Sequence, residues 1–127
     1  MSDAVEWLPH EIPEYLRRQA RLLHGPDEGL VLWSREAAKA VLACLSGTKV
    51  AIRGGGAYYW ATQDPVPFDG WAAAPLWGEQ ATAFAERSRV LAEAKLREHQ
   101  GSATNPVFFA FDFTEQDAER PGTSLTE

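Results

Sequence analysis

Histidine, cysteine and carboxylate side chains are the first candidates for chemistry, because they ligate metals and transfer protons. The chain has three histidines, His10, His24 and His99, and a single cysteine, Cys44. The histidines are far apart, with no pair four residues apart and no cysteine partner. One cysteine forms neither an internal disulfide nor a multi-cysteine zinc site. This pattern predicts neither a metal centre nor a cofactor.

Two carboxylates, Asp69 and Asp112, lie in strongly aromatic segments. A carboxylate that acts as a general base needs a cleft that shifts its pKa. However, Asp69-Gly70 is common turn chemistry, and Asp112 stands near the end of an aromatic run. A nucleophile motif of the Gly-x-Ser-x-Gly type is absent. An enzyme that uses either carboxylate as a base is therefore the weakest of three functional hypotheses.

Three consecutive glycines, Gly54, Gly55 and Gly56, separate a short β-branched segment from an aromatic one. They are not a phosphate loop, because no Gly-Lys-Ser or Gly-Lys-Thr follows them. Glycine permits a positive φ and a close approach of other backbone. The run therefore predicts a tight structural turn between two antiparallel strands, with or without a β-bulge.

This turn supports a second hypothesis, a sensor domain that binds a small molecule or a nucleotide. The ligand would lie against the three glycines, in a concave apolar pocket with a few polar groups. The pocket's aromatic wall would consist of Tyr58, Trp60 and Trp71.

Composition limits the class of protein. The 127 residues are enough for one core. The net charge of −6 opposes nucleic-acid binding through a basic face. It suits a basic partner such as a nucleic-acid-cleaving protein, and equally a soluble protein without such a partner. The chain has no apolar run of membrane-spanning length, about 18 residues, and its acidic start lacks signal-peptide character. We expect a cytoplasmic protein with no nucleic-acid or membrane partner.

Hydrophobic spacing and turn residues predict six elements. The helices are expected from Pro13 to the Gly25-Pro26 pair, over residues 35–45 and over residues 79–99. The strands are expected over residues 49–53, 57–62 and 107–113.

The order helix-helix-strand-strand-helix-strand predicts an α+β fold, with a small three-stranded sheet packed against helices. Residues 1–113 are expected to form one domain, and residues 114–127 a flexible acidic tail. Residues 63–78 are expected to form a loop, although they include Phe68, Trp71, Leu76 and Trp77. Apolar groups of this size seldom occupy a free loop, so the segment either folds back on the domain or binds something.

Several short motifs follow one another between residues 50 and 113. They are a strand with two glycines, Val50-Ala51-Ile52-Arg53-Gly54-Gly55, an aromatic strand, Ala57-Tyr58-Tyr59, a loop motif, Asp69-Gly70-Trp71, a helix serine, Ser88, and a final aromatic strand, residues 107–113. Together they resemble immunity protein 40, a family of immunity proteins from bacterial polymorphic toxin systems. The chain departs from that pattern at Gly56, where the family has Asp, and at Gly70, where it has Asn.

The resemblance implies a protein without catalytic activity, which binds a cognate toxin and occludes its active site. The toxin gene is then expected beside the gene for this chain. Aromatic and acidic residues near the glycines and in the following segment are the candidate toxin contacts: Tyr58, Trp60, Asp64, Asp69, Trp71, Trp77 and Glu79. For each aromatic residue, packing in the core is the alternative interpretation.

Overall fold

The computed structural model describes residues 8–22, 31–61 and 64–114. Its helices are Glu14–Arg17 (α1), Arg35–Cys44 (α2) and Ala81–Glu98 (α3). Its strands are Arg21–Leu22 (β1), Val31–Ser34 (β2), Ile52–Ala61 (β3), Asp64–Ala72 (β4) and Val107–Phe113 (β5). Most of the expected tail, residues 115–127, lies outside the described residues, as does His24.

The strands form one antiparallel sheet in the order β1-β2-β5-β3-β4. Since β1 has only two residues, the body of the sheet is the four-stranded part, β2-β5-β3-β4. The fold is α+β, but the prediction of a three-stranded sheet is wrong. The difference arises at two places, the apolar run before α2, which is strand β2, and the expected loop, most of which is strand β4.

The prediction of a turn at the three glycines is also wrong, because β3 runs through them as one strand. Their role is close packing. A Cβ atom on Gly55 would lie 2.5 Å from Cζ2 of Trp71 and 2.6 Å from the carbonyl oxygen of Ala110. Any side chain at this position would collide with both, so glycine here makes room for the Trp71 ring.

Strand β4 replaces the first part of the expected loop. It pairs along β3 from Ala61 opposite Asp64 to Gly54 opposite Ala72. Its prolines, which favour a loop in a sequence reading, are tolerated because β4 is an edge of the sheet. The register shifts beside Ala57 and leaves Phe68 without a partner, as in a β-bulge.

The first helix is much shorter than expected, because α1 ends at Arg17 and the chain turns into β1. The carbonyl of Leu16 accepts hydrogen bonds from the Gln19 N–H (3.1 Å) and from the Trp33 indole N–H (3.0 Å). The chain then pairs as strand β1 with β2, with Arg21 opposite Leu32. The tertiary contacts thus override a helical apolar spacing.

The other two helices and the last strand are confirmed. Ser34 caps α2, since its Oγ accepts a hydrogen bond from the Ala37 N–H at 3.2 Å. Ser88 of α3 is fully buried, and its Oγ accepts the Ile52 N–H at 2.9 Å. This bond ties the longest helix to the first residue of β3.

The core lies between one face of the sheet and helices α2 and α3. Trp33 and Phe109 on the strands are fully buried there, against Val41 and Leu42 of α2 and Ala92 of α3. Among the described helices, none combines the length and the apolar character needed to cross a membrane.

Candidate functional site

The structure distributes six of the seven predicted contact residues over three places. Tyr58 and Trp60 lie on the second face of the sheet, the face that carries Leu32, Phe108 and Ala110. Asp69 and Trp71 lie on the face next to α3. Trp77 and Glu79 lie in the segment between β4 and α3, and the side chain of Asp64 lies outside the described part of the chain.

The aromatic residues of the second face are packing residues. Trp60 and Phe108 meet edge to face with ring centroids 5.7 Å apart. The Arg21 guanidinium lies 5.4 Å from the Trp60 ring centroid and 4.9 Å from that of Phe108. Tyr58 is half-buried in the same cluster. These contacts favour the core interpretation for both Tyr58 and Trp60.

Next to these aromatics, the glycines line a shallow concavity of about 560 Å³. A Cβ atom on Gly56 would lie 3.0 Å from Cε1 of Tyr58, so the tyrosine ring leans over this glycine. Gly56 also stands directly opposite Gly70. The two departures from the immunity protein 40 pattern are therefore neighbours in one pair of strands.

Trp71 is a packing residue on the opposite face. Its ring lies over Gly55, and its centroid is 6.4 Å from that of Phe111. The Lys95 Nζ is 6.0 Å from the Trp71 ring centroid. Trp71 and Tyr58 both border the concavity, but their rings pack on opposite faces of the sheet, so they do not form the single aromatic wall of the sensor hypothesis.

Asp69 is held in place by the end of α3. The bulge puts Asp69 and Phe68 within reach of the same residue, His99. Asp69 Oδ2 lies 2.6 Å from His99 Nε2 and 3.4 Å from Lys95 Nζ, and Oδ1 accepts the Gly70 N–H at 2.8 Å. The His99 ring is the main reason why the pKa of the Asp69 carboxyl falls below its ordinary value of 3.8. A lower pKa makes this carboxylate a weaker base.

The same cluster brings together the residue types that bind metals. Asp69, Glu98 and His99 can place ligand atoms within 4.8 Å of one another. However, Lys95 Nζ also lies 3.6 Å from Glu98 Oε1, so its ammonium group already supplies the positive charge. In addition, Asp69 and His99 are closer than two ligands of one zinc ion, which lie about 3.3 Å apart in a tetrahedral site. The geometry is that of an ion-pair cluster.

The remaining candidate residues form a turn, Leu76–Glu79, which we call the Trp77 turn. The Glu79 N–H donates to the Leu76 carbonyl at 2.9 Å, and Gly78 has φ +79°. A positive φ at the third position, with Trp77 at the second, is the arrangement of a type II turn. The backbone thus directs the Trp77 side chain from the tip of the turn.

The Glu79 side chain braces this turn. Its Oε1 accepts the Leu76 N–H at 2.8 Å, and the Arg87 guanidinium of α3 binds its two oxygens at 2.8 and 2.9 Å. Arg87 also donates to the Ala74 carbonyl at 2.6 Å. Arg87, with help from the Leu76 N–H, lowers the pKa of the Glu79 carboxyl from its ordinary value of 4.5 to about 2.

Trp77 itself is fully exposed, and the neighbouring Leu76 is 61% exposed. The seven residues 72–78 carry no charge, and all of them except Ala73 are exposed. Contiguous exposed apolar patches mark interaction sites, and the adjacent Leu76 and Trp77 side chains contribute to such a patch. Of the six predicted contact residues whose side chains the structure describes, Trp77 is therefore the most accessible to a partner.

Comparison with models of known families, with curated proteins and with solved structures finds no match for this chain. The resemblance to immunity protein 40 accordingly stays a prediction. The function must be argued from the geometry of the molecule itself.

Several residues that shape the site were not singled out by the sequence. The sequence marks His99 only as a potential metal ligand, and it places Lys95 and Arg87 no more closely than within the helix expected over residues 79–99. The sequence holds one local signal, Trp77-Gly78 ahead of a helix, which favours a turn with glycine at its third position. The contacts from α3 depend on how the helix crosses the sheet, which sequence spacing does not reveal.

Proposed function

We propose that this chain is an immunity protein, which binds a cognate bacterial toxin and neutralises it by occluding its active site. The observation that carries this proposal is the fully exposed Trp77 at the tip of a braced turn. Tryptophan is among the residues that dominate binding energy at protein interfaces. Because the turn is already held in one conformation, less conformational entropy is lost on binding.

The charge of the chain is compatible with this function. A net charge of −6 suits a basic partner, such as a nucleic-acid-cleaving toxin, and would speed the encounter with it. We propose a cytoplasmic location, where such a partner would act, with no cofactor and no direct nucleic-acid or membrane partner. The toxin is expected to be encoded by the adjacent gene.

A catalytic role is less well supported. Asp112 is exposed and paired with Arg53 at 3.2 Å, on the open side of the sheet. Asp69 is engaged by His99 and Lys95, and its lowered pKa weakens it as a base. Both carboxylates thus have structural partners that account for their positions, and we propose that the protein is not an enzyme.

One observation favours the sensor hypothesis as a second candidate, the concavity beside Gly54, Gly56 and Tyr58. A small molecule or nucleotide bound there would stabilise the folded protein, by an amount that grows with the logarithm of its concentration once the site is saturated. A thermal-shift screen of nucleotides and small metabolites tests this, with Tyr58→Ala as the variant that removes the wall. A Tyr58-dependent shift in melting temperature would favour the sensor over the immunity protein.

The proposed function is tested by co-expressing the chain with the product of the adjacent gene. We expect the adjacent product alone to stop growth, the pair to grow normally, and the two proteins to purify as a complex. If the adjacent product is harmless, or if growth is not restored, the proposal is wrong. As a control, the Tyr15→Ala variant, which removes an exposed aromatic side chain on α1, should restore growth like the wild type.

A further inference from the structure

We infer that the partner presents an uncharged apolar pocket that takes up the Trp77 side chain, with Leu76 against the rim. This rests on the proposed function, to which it adds the chemistry that the partner must offer. The toxin's pocket for Trp77 is then distinct in character from a charged catalytic cleft. Occlusion of such a cleft would follow from the bulk of the bound domain rather than from Trp77 itself.

The absence of charge along residues 72–78, which include the tip of the Trp77 turn, supports this inference. Residues 72–78 have no ionisable side chain. Glu79 and Arg87, which brace the turn, neutralise each other through two hydrogen bonds, and the Glu79 side chain is only 11% exposed. A carboxylate in the pocket wall would lose water on contact with Trp77 and gain no counter-charge, which is unfavourable.

The indole N–H of Trp77 adds one polar requirement for the partner's pocket. The Trp77 ring is a large apolar body with a single donor, the indole N–H. Buried tryptophans usually satisfy this N–H with a hydrogen bond. The pocket is therefore expected to be apolar with one acceptor, and replacing Trp77 by phenylalanine removes only the donor and part of the ring.

The chain's own C-terminal segment is a poorer match for Trp77. It follows Thr114, whose N–H donates to the Ala51 carbonyl at 2.9 Å, and Ala51 packs with Ala73 ahead of the Trp77 turn. Thr114 therefore lies near Ala73, four residues ahead of Trp77 in sequence. However, residues 115–127 contain four acids and one large apolar residue, Leu125. This composition does not offer an apolar pocket.

The test measures the affinity of the full chain for the product of the adjacent gene, by calorimetry at low and at high salt. Trp77→Ala should weaken binding about 30-fold or more, as expected for a central tryptophan anchor. The ratio between variant and wild type should be the same at both salt concentrations, since apolar contacts are not screened. Trp77→Phe should retain part of the affinity, and Tyr15→Ala should bind like the wild type.

The outcomes separate the inference from the proposed function. If wild type and Trp77→Ala bind equally, or if the difference between them disappears at high salt, the pocket is not apolar and the inference is overturned while the proposed function stands. If the wild type forms no complex, the proposed function itself falls. Tighter binding by Leu125→Ser, or Trp77-dependent binding of phosphatidylcholine vesicles, would instead assign the turn to the chain's own tail or to a membrane, and either result overturns the inference.

Discussion

At each end of α3, side chains at that end of the helix bind a carboxylate, but the aromatic residue beside that carboxylate differs between the two ends in its exposure. Before its first residue, the Glu79 carboxylate is bound by Arg87. At its last turn, the Asp69 carboxylate is bound by His99 and Lys95. Each pairing fixes a segment of the chain beside the helix and lowers the pKa of the carboxyl group. Each also stands next to a large aromatic residue.

The two aromatic residues differ in whether they pack against the rest of the protein. At the C-terminal end, Phe68 stacks on Tyr59 with centroids 4.1 Å apart and meets the His99 ring at 5.0 Å. At the N-terminal end, Trp77 remains wholly in solvent. Ion pairing around Phe68 supports packing within the fold, whereas ion pairing around Trp77 holds in place a residue that the fold does not use. The contrast is the structural basis for assigning Trp77 to a partner.

The largest effect on stability is expected at the packed end. Phe68→Ala removes the stack on Tyr59 and should lower the free energy of unfolding by about 2 kcal/mol, less than for a fully buried phenylalanine because Phe68 is 37% exposed. Trp77→Ala should change it by less than about 0.5 kcal/mol, because no packing is lost. Urea unfolding of both variants measures this, and equal losses would remove the contrast between the two ends.

A smaller effect is expected from the backbone of the Trp77 turn. Gly78 has φ +79° with open space around its Cβ position, as does Gly47, at φ +82°, after α2. Alanine at either site should lower the free energy of unfolding by about 1 kcal/mol through backbone strain alone. Only Gly78→Ala should also weaken partner binding, because only this change distorts the turn. If Gly47→Ala weakens binding as much, the effect is one of global stability.

The pH dependence of stability should reveal the brace. The pKa of Glu79 is lowered from 4.5 to about 2, so its contribution to folding is fully present above pH 4.5 and is lost as the pH falls towards 2. Glu79→Gln should therefore be less stable than wild type at neutral pH, and this difference should shrink on acidification over that range. A difference that stays constant with pH would show that the Arg87 contact does not stabilise the charged form.

The smallest effect is expected for the carboxylate at the other end. The pKa of Asp69 lies below 3.8, so its contribution is present above pH 3.8 and disappears as the pH drops further. Asp69→Asn should lose this part of the acid dependence while leaving partner binding intact. Thermal melts of this variant between neutral and acidic pH measure the first effect, and reduced affinity for the partner would contradict the second.

The elements predicted correctly are those whose pattern is local. Ser34 followed by an alanine-rich amphipathic run marks α2, and the alternating apolar run of residues 107–113 marks β5. The α+β class follows from such elements. The order of the strands in the sheet cannot be predicted from these local patterns, because β5 lies between β2 and β3 and is far from both in sequence.

The incorrect elements share a physical cause. Glycine and proline are typical of turns in a sequence. Here the glycines of β3 allow close packing, and the prolines of β4 are tolerated because β4 is an edge strand. The site shows the same limit. Residue type alone marks Trp77 and Glu79 as candidates. Their opposite roles, one exposed and one bracing, depend on Arg87, which lies eight residues after Glu79 in the chain.

Growth protection by two variants tests the central claim most directly. Cells that produce the toxic product of the adjacent gene would also express the wild-type chain, Trp77→Ala or Phe68→Ala, at matched levels of folded protein. We predict that Phe68→Ala protects growth like the wild type despite its lower stability, and that Trp77→Ala, although equally folded, protects poorly. Full protection by Trp77→Ala would contradict the assignment of the Trp77 turn as the anchor for the partner.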